Sequence, residues 1–398
     1  MTVLEAGIRN QRLDSMLEDD GTLPAGGTFS PFSDVVTKFD WTPDAGLTAR
    51  RGIGSIDALE HDTGLETHSI ALTFLLQGTI DAGKPLYEAF IRNTDGILAE
   101  RTIVEREKHF TGGADSAGVR TYVVAEGCKT ASASIPGDPG AAGPIEVSVV
   151  YTPEKVRQYQ ISQPAAGASM VVTASTISAA DGTIGVTLED DAGVQETASL
   201  SASVLSATTT AVFASIDAIE LTGDITGTLE VVEASGNAAT LAVIYGKADY
   251  ANSEGDLGVP VIPTGGTRVA TLGEAYEKFL GDTIAYGSGD LAFDINSVEL
   301  TVDNAVTVLP RHNTRKQRVI EGNRTVQLKA TVLGETEYQT QITRHLQSKS
   351  ADIVWTLDSS TITLEGATMT KIGDKSIVAG QAYMSLNNTF EGTVVSVA

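Results

Sequence analysis

Residues Ser297–Leu333, SVELTVDNAVTVLPRHNTRKQRVIEGNRTVQLKATVL, carry the pattern that decides the fold. Val298, Leu300 and Val302 alternate with Glu299, Thr301 and Asp303, the period of a strand with one buried face. The stretch ends in TVQLKATVL, a second strand running back. Between the two, Arg311, Arg315, Lys316, Arg318 and Arg324 crowd into fourteen residues with a single acid, Glu321. The reading is a long hairpin with basic residues along it.

That concentration of cations is out of keeping with the rest of the chain. The 398 residues hold 27 Lys and Arg against 51 Asp and Glu, a formal net charge of −24. Few lysines and abundant carboxylate suit a very salty solvent, where the Debye length falls to about 3 Å at 1 M and self-repulsion is screened. A halophilic source is therefore expected. The acidity argues against a protein that grips nucleic-acid phosphates, an affinity supplied by Lys and Arg. One cysteine, Cys128, excludes an intrachain disulfide framework and a Cys-rich zinc site. No apolar run reaches the roughly 18 residues that span a bilayer. The opening MTVLEAGIRNQRLDSMLEDDG does not read as a signal peptide, so a soluble protein made in the cytoplasm is expected.

The opening stretch has a counterpart early in the chain. The strand DVVTKFDWTPDAGLTA, from Asp34, also runs into cations, Arg50 and Arg51. ETHSIALTFLL, from Glu66, then matches NRTVQLKATVL, with Ile70 opposite Val326. The same separation sets the short helix KPLYEAFIRN against TEYQTQITRHLQSK, with Leu86 and Phe90 opposite Ile342 and Leu346. VVAEGCKTASASI matches TITLEGATMTKIG through Glu126–Gly127 and Glu365–Gly366. Each copy closes on a strand, within GPIEVSVVYTPEKV and GQAYMSLNNTFEGTVV. Each is also expected to open on a short helix. In the second copy Leu272, Ala275, Tyr276, Phe279 and Leu280 make the apolar stripe, and Thr271 with Glu274 a capping box. In the first, Leu13, Met16 and Leu17 make a weaker one. The order helix, strand, basic turn, strand, helix, hairpin thus occurs twice.

Between the copies the composition changes. From Gln158 to Gly246 there is no Lys or Arg, and there are ten acids. Strand patterns such as TIGVTLED, ETASLSASV, GTLEVV and ATLAVIYG recur at short intervals between Gly and Asp-Gly turns. That spacing predicts an all-β sandwich of about 80 residues. SQPAAGAS, from Ser162, and YANSEGDLGVP, from Tyr250, read as the linkers into and out of it.

Motifs that carry chemistry are missing: there is no GxGxxG after a strand, no P-loop, no HExxH and no GxSxG. His61 and His68, with Asp62 and Glu66, make a possible ligand set, but a polar hairpin face is the better reading. Glu189, Asp190 and Asp191 lack the spaced oxygens of an EF-hand loop, and a solvated turn is preferred. Cys128 has no His or Asn context and reads as a small, half-buried thiol. The tripeptides NRT, from Asn323, and NNT, with Asn388 in its middle, are formal glycosylation sequons. No cofactor and no catalytic or metal-binding residues are expected, and the chain does not read as an enzyme.

The C-terminal copy, INSVELTVDNAVTVLPRHNTRKQRVIEGNRTVQLKATVLGETEYQTQITRHL with the later TLEGATMTKIGDKSIVAGQAYMSLNN, resembles the major tail tube proteins of long-tailed viruses. In that family a strand runs out to a long polar or basic hairpin, returns, and leads to a short helix across the sandwich. The resemblance covers residues 265–398 directly and 1–160 through the repeat. It implies a mainly β protein with two tail-tube-type β-sandwich or barrel domains, each with a short α-helix. An inserted immunoglobulin-like β-sandwich completes the expected fold. The divisions are an N-terminal arm with a short helix at 1–29, the first tube domain at 30–161, the inserted sandwich at 162–250 and the second tube domain at 251–398.

The resemblance also implies rings of three chains that imitate six-fold symmetry, stacked into the virion's tail, with the insert projecting outside. Partners would be the chain itself and the tape-measure and other tail proteins. Viral DNA would pass through without specific binding, and no membrane is involved. A haloarchaeal virus fits the acidity. On this reading Arg50, Arg51, Arg311, Arg315, Lys316, Arg318 and Arg324 are assembly contacts that dock on acidic surface, Arg pairing bidentately with carboxylate. Glu299 and Asp303 are lumen-facing candidates by alternation. The rival is an extracellular multi-sandwich surface or carbohydrate-binding protein of a halophile.

Overall fold

The computed structural model describes residues 11–19, 22–44, 48–50, 60–62, 67–92, 96–111, 114–137, 143–164, 167–234, 240–246, 257–278, 283–286, 295–309, 318–333, 346–347, 350–377, 384–392 and 394–398. The fold is mainly β, in several sheets. The first part of the chain forms β1 (Gln11–Leu17), β2 (Thr28–Pro31), β3 (Val36–Asp44), β4 (Thr48–Arg50), β5 (Glu60–Asp62), β6 (Thr67–Leu75), helix α1 (Pro85–Phe90), β7 (Arg101–Thr111), β8 (Ala114–Gly137), β9 (Glu146–Thr152) and β10 (Lys155–Ser162). The middle forms β11 (Met170–Ala174), β12 (Ile184–Glu189), β13 (Gln195–Leu200), β14 (Ser206–Thr208), β15 (Ala218–Leu221), β16 (Thr228–Glu233), β17 (Thr240–Tyr245) and β18 (Gly258–Val259). The last part forms β19 (Thr267–Arg268), β20 (Thr283–Tyr286), β21 (Ile295–Asp303), β22 (Thr307–Leu309), β23 (Arg318–Ile320), β24 (Thr325–Leu333), β25 (Ser350–Thr356), β26 (Thr361–Ile377), β27 (Met384–Gly392) and β28 (Val394–Val397).

The alternation in the opening stretch holds. Val298, Leu300 and Val302 are buried, and β21 pairs antiparallel with β24 through Leu300↔Leu328 and Val302↔Val326. The same holds for β3 and β6, paired through Trp41↔Ile70. Burying each such Val, Leu or Ile contributes about 1.5–3 kcal/mol, offset by the entropy of ordering the chain.

One connectivity occurs twice. β3, β6, β9 and the second half of β8 form a sheet in that order, as do β21, β24, β27 and the second half of β26. The first half of β8 lies between β7 and β10, and the first half of β26 between β25 and β28. β1 and β20 flank β7 and β25. The irregularities recur too. Glu126–Gly127 bulge out opposite Thr102, and Glu365–Gly366 opposite Asp352. Gly127 and Gly366 have φ +61° and +60°, values that favour glycine. A second register shift falls at Ala131 in β8 and at Thr370 in β26. These pairings carry Ile70 onto Leu328 rather than Val326, two residues from the expected match: Ile70 faces Tyr151, and Leu328 faces Phe390. The two halves meet edge to edge through β8 and β21, with Asp303↔Ser132 and Val302↔Ala133. Their inner faces share one apolar core, from Leu72 and Val149 to Leu328 and Phe390.

Neither expected opening helix forms. Residues 11–17 are strand β1, taken up by seven pairings with β7. Residues 271–278 form no helix and make isolated bridges at Tyr276 and Lys278, and Phe279 and Leu280 lie outside the described residues. Here tertiary pairing overrides the helical stripe: Glu277 N–H donates to Leu76 O, Ile145 N–H to Glu277 O and Gly78 N–H to Ala275 O. Asp34, rather than a helix N-cap, accepts from the Leu272 and Gly273 amides. Helix α1 forms as expected, burying Leu86 and Phe90. Its counterpart, including Ile342, lies outside the described residues except for Leu346 and Gln347. Each expected closing strand is broken into two successive strands, β9 then β10 and β27 then β28, which pair with other strands and not with each other.

The middle residues form two four-stranded sheets, β14-β11-β16-β17 and β13-β12-β15-β18, around a common core that includes Val172, Val186, Leu221 and Val231. Its last strand lies past residue 250. The expected entry linker is in fact packed: Gln163 is buried and exchanges two hydrogen bonds with the Ile216 backbone. Tyr122, Val124, Tyr159 and Ile161 of β8 and β10 belong to the same core, so these sheets sit directly on the first half.

Candidate assembly surface

The basic hairpin is present at its base. β22 and β23 pair through Leu309↔Arg318, and Arg318 is exposed. Arg311, Arg315 and Lys316 lie outside the described residues, as does Arg51. The counterpart pair, β4 and β5, sets Arg50 opposite Glu60. Arg324 sits apart from Arg318. It is half-buried beside Arg92, and burial, then the like charge of Arg92, pull its pKa below the ordinary arginine value. Among the described residues its Nε and Nη2 have no hydrogen-bond partner. Arg92 donates to the carbonyls of Gly96 and Gly322. Glu321, the one acid in the stretch, is spent on Lys129 at 3.0 Å and on the Leu98 amide.

The outer face of the joined sheets is polar. β6 turns Thr67, Ser69, Ala71 and Thr73 outward, and β9 turns out Glu146, Ser148 and Thr152. Glu299 lies on this face, accepting from Ser134 Oγ at 3.0 Å and lying 3.7 Å from Lys329 Nζ. Asp303 is exposed but folded back, its carboxylate accepting from the Ala305 amide. Ala305 has φ +47°, which that bond supports.

Among the described residues, two of the strand edges left open are the counterparts of the two that join the halves. Among the described residues β3 pairs only with β6. Among the described residues β26, from Lys371 onward, pairs only with β27. Asp40 and Asp44 lie on the first edge strand, Lys371 and Lys375 on the second. Open edges of this length invite pairing with another chain.

A feature that sequence spacing did not reveal joins the inserted sheets to the first half. Arg120, 2% exposed, forks onto Asp191 at 2.8 and 2.6 Å and reaches Asp217 at 3.2 Å. Arg106 also pairs with Asp217. Arg268 bridges Asp217 at 2.7 Å and Glu189, fully buried, at 2.9 Å. Lys108 adds a contact to Asp191 at 3.3 Å. Burial alone would raise the Asp191 carboxyl, but the bonds and charge of Arg120, with Lys108 and Arg106, hold it below its ordinary value. Burial pushes the Tyr122 hydroxyl beside them up to about 12. The expected solvated turn at 189–191 is therefore a turn, with Asp190 accepting from Ala192 and Val194, but its other two acids serve this clamp.

The remaining candidates find structural roles. His68 is buried against Trp41, whose indole N–H donates to its Nδ1 at 3.4 Å. The side chains of His61, Asp62 and Glu66 lie outside the described set. Cys128 is fully rather than half buried, and burial drives its thiol well above the ordinary value, the opposite of a reactive thiolate. In the NNT tripeptide of β27 the acceptor, Asn387, has its side chain outside the described set and its neighbour Asn388 is 1% exposed, whereas Asn323 is exposed. Among the described residues no group of His, Cys, Asp and Glu is arranged to hold a metal, and no helix is long and apolar enough to cross a membrane. No family model and no curated protein matches the chain.

Proposed function

We propose that this chain is a structural virion protein that polymerises into a tail tube, with three chains to a ring, rings stacked, and a channel for DNA passage. The finer architecture that goes with this reading is two tube-type domains carrying an inserted immunoglobulin-like sandwich on the outside. One observation carries it: the two halves are already joined edge to edge through β8 and β21, and each leaves open the counterpart edge. Repeating that junction between chains sets the open edge of β26 against β3 of the next chain. A head-to-tail contact of this kind closes into a ring when its rotation permits, and closure removes the open edges. By the internal template, Asp303↔Ser132 becomes Asp44 opposite Lys371, an acid against a cation.

The channel wall would be the outer face rich in Ser, Thr, Asp and Glu, which offers phosphate little to bind. Axial stacking would use the basic hairpins, and the acidity suits a virus of haloarchaea. Tape-measure and other tail proteins are the partners this role requires.

The test is a cysteine pair, Asp44→Cys with Lys371→Cys, in protein concentrated in molar salt. Oxidation is expected to give linked dimers and trimers on non-reducing gels. Negative-stain images are expected to show stacked rings with an open lumen and three outer knobs. Discrete monomers under every salt condition would reject the reading in favour of a surface sandwich protein.

A further inference from the structure

A cavity of about 380 Å³ opens between β1, β2, the end of β6 and the start of α1. Its wall is largely apolar, with Met16, Phe32, Phe74, Ile80 and Leu86 prominent. Arg101 also lines it and is 3% exposed. The guanidinium donates from Nη1 to Ser15 Oγ at 2.9 Å and from Nη2 to Gly83 O at 2.6 Å, while its Nε has no partner. Among the described residues no carboxylate lies within ion-pair distance of it. Glu88 attracts it from farther off and is itself engaged by the Gly83 amide. The other deeply buried arginines differ: Arg120 forks onto Asp191, and Arg157 pairs with Glu126.

The fold does not require a cation at this position. In the second half the same bulge closes with Ala351 where the first has Arg101, Arg101↔Cys128 corresponding to Ala351↔Ala367. A buried charge without a counter-charge is costly, and its burial draws the Arg101 pKa below the ordinary arginine value. An apolar cavity with one convergent charged group is the usual form of a small-molecule site.

We propose that this cavity binds an aliphatic monocarboxylate, its carboxylate on Arg101 and its chain along Met16, Phe32, Phe74, Ile80 and Leu86. The charge selects an anion. Lys84 also lines the cavity but is paired with Glu274 at 2.7 Å, so Arg101 is the lining cation left without a carboxylate, which selects one head group with a hydrocarbon tail rather than a polyanion.

The probe is octanoate, titrated calorimetrically into the intact chain and compared with hexanoate and 1-octanol. Octanoate is expected to bind, with affinity gained by about four-fold per added methylene, and octanol to bind at least ten-fold more weakly. Arg101→Met is expected to bind octanoate no better than octanol. The octanol comparison in the unaltered protein decides the matter if that variant does not fold. Equal affinity for octanol, undiminished octanoate binding by Arg101→Met, or no octanoate binding would each overturn the proposal. Protection of an Ala82→Cys thiol on self-assembly, without octanoate binding, would overturn it in favour of a second copy of the chain as the occupant.

Discussion

Asp217 shows how much one residue carries. It is 3% exposed and is shared by Arg106, Arg120 and Arg268, from three different segments. Removing one partner of a buried ion group leaves charge uncompensated, typically at a cost of about 3–5 kcal/mol. Asp217→Asn is expected to fall near the lower bound, because Arg120 keeps Asp191 and Arg268 keeps Glu189. The urea midpoint measures it. Asp191 supplies the pH dependence. Its folded pKa is depressed, so the stability it adds is present above the unfolded aspartate value of about 3.9 and is lost as pH falls through the lower folded value. The stability difference between wild type and Asp191→Asn is therefore expected to hold from pH 7 to about 5 and shrink below about 4. A difference that stays constant into acid would show that Asp191 does not act through its charge. None of these partners could be paired from sequence, because acids are abundant and the Arg and Asp residues are between 51 and 111 positions apart.

At the scale of elements, strand identity was legible where alternation was clean. β6, β21 and β24 fall where Ile70, Leu300 and Val326 put them. The match of Ile70 to Val326 missed by two residues for a physical reason: a shift of two keeps every side chain on its own face, so alternation cannot detect it. The opening helices were misread because Leu272, Ala275 and Tyr276 do form a helical stripe. What that stripe cannot show is that residues 76–78 and 145 offer backbone partners to a non-helical segment. The hairpin of β22 and β23 was legible from its charge, and its use in stacking is open to test. Arg315→Ser, Lys316→Ser and Arg318→Ser together are expected to leave folding unchanged and to reduce stacking in moderate salt several-fold, since exposed ion pairs contribute up to about 1 kcal/mol each. Light scattering reads the assembly. Unchanged assembly would remove the hairpin from the contact.

For the whole molecule, recurrence of the connectivity and of both bulges ties the halves together, yet they are not interchangeable. Tyr122 and Val124, buried beneath the inserted sheets, become Thr361 and Thr363 in the corresponding positions of β26, neither of them fully buried. One face is built to carry a sandwich and its counterpart to meet solvent. A ring of three such chains would carry three knobs around six repeats. The sequence by itself determined that the protein is β-rich, that its strand patterns repeat around a charge-depleted middle, and that cations gather on one hairpin. These follow from local periodicity and composition. The tertiary structure alone decided which edges are joined and which stay open, which acids neutralise which arginines, and that Arg101 faces a cavity. Pairing and burial depend on what lies opposite in space, and residues far apart in the chain leave no mark of that in its order.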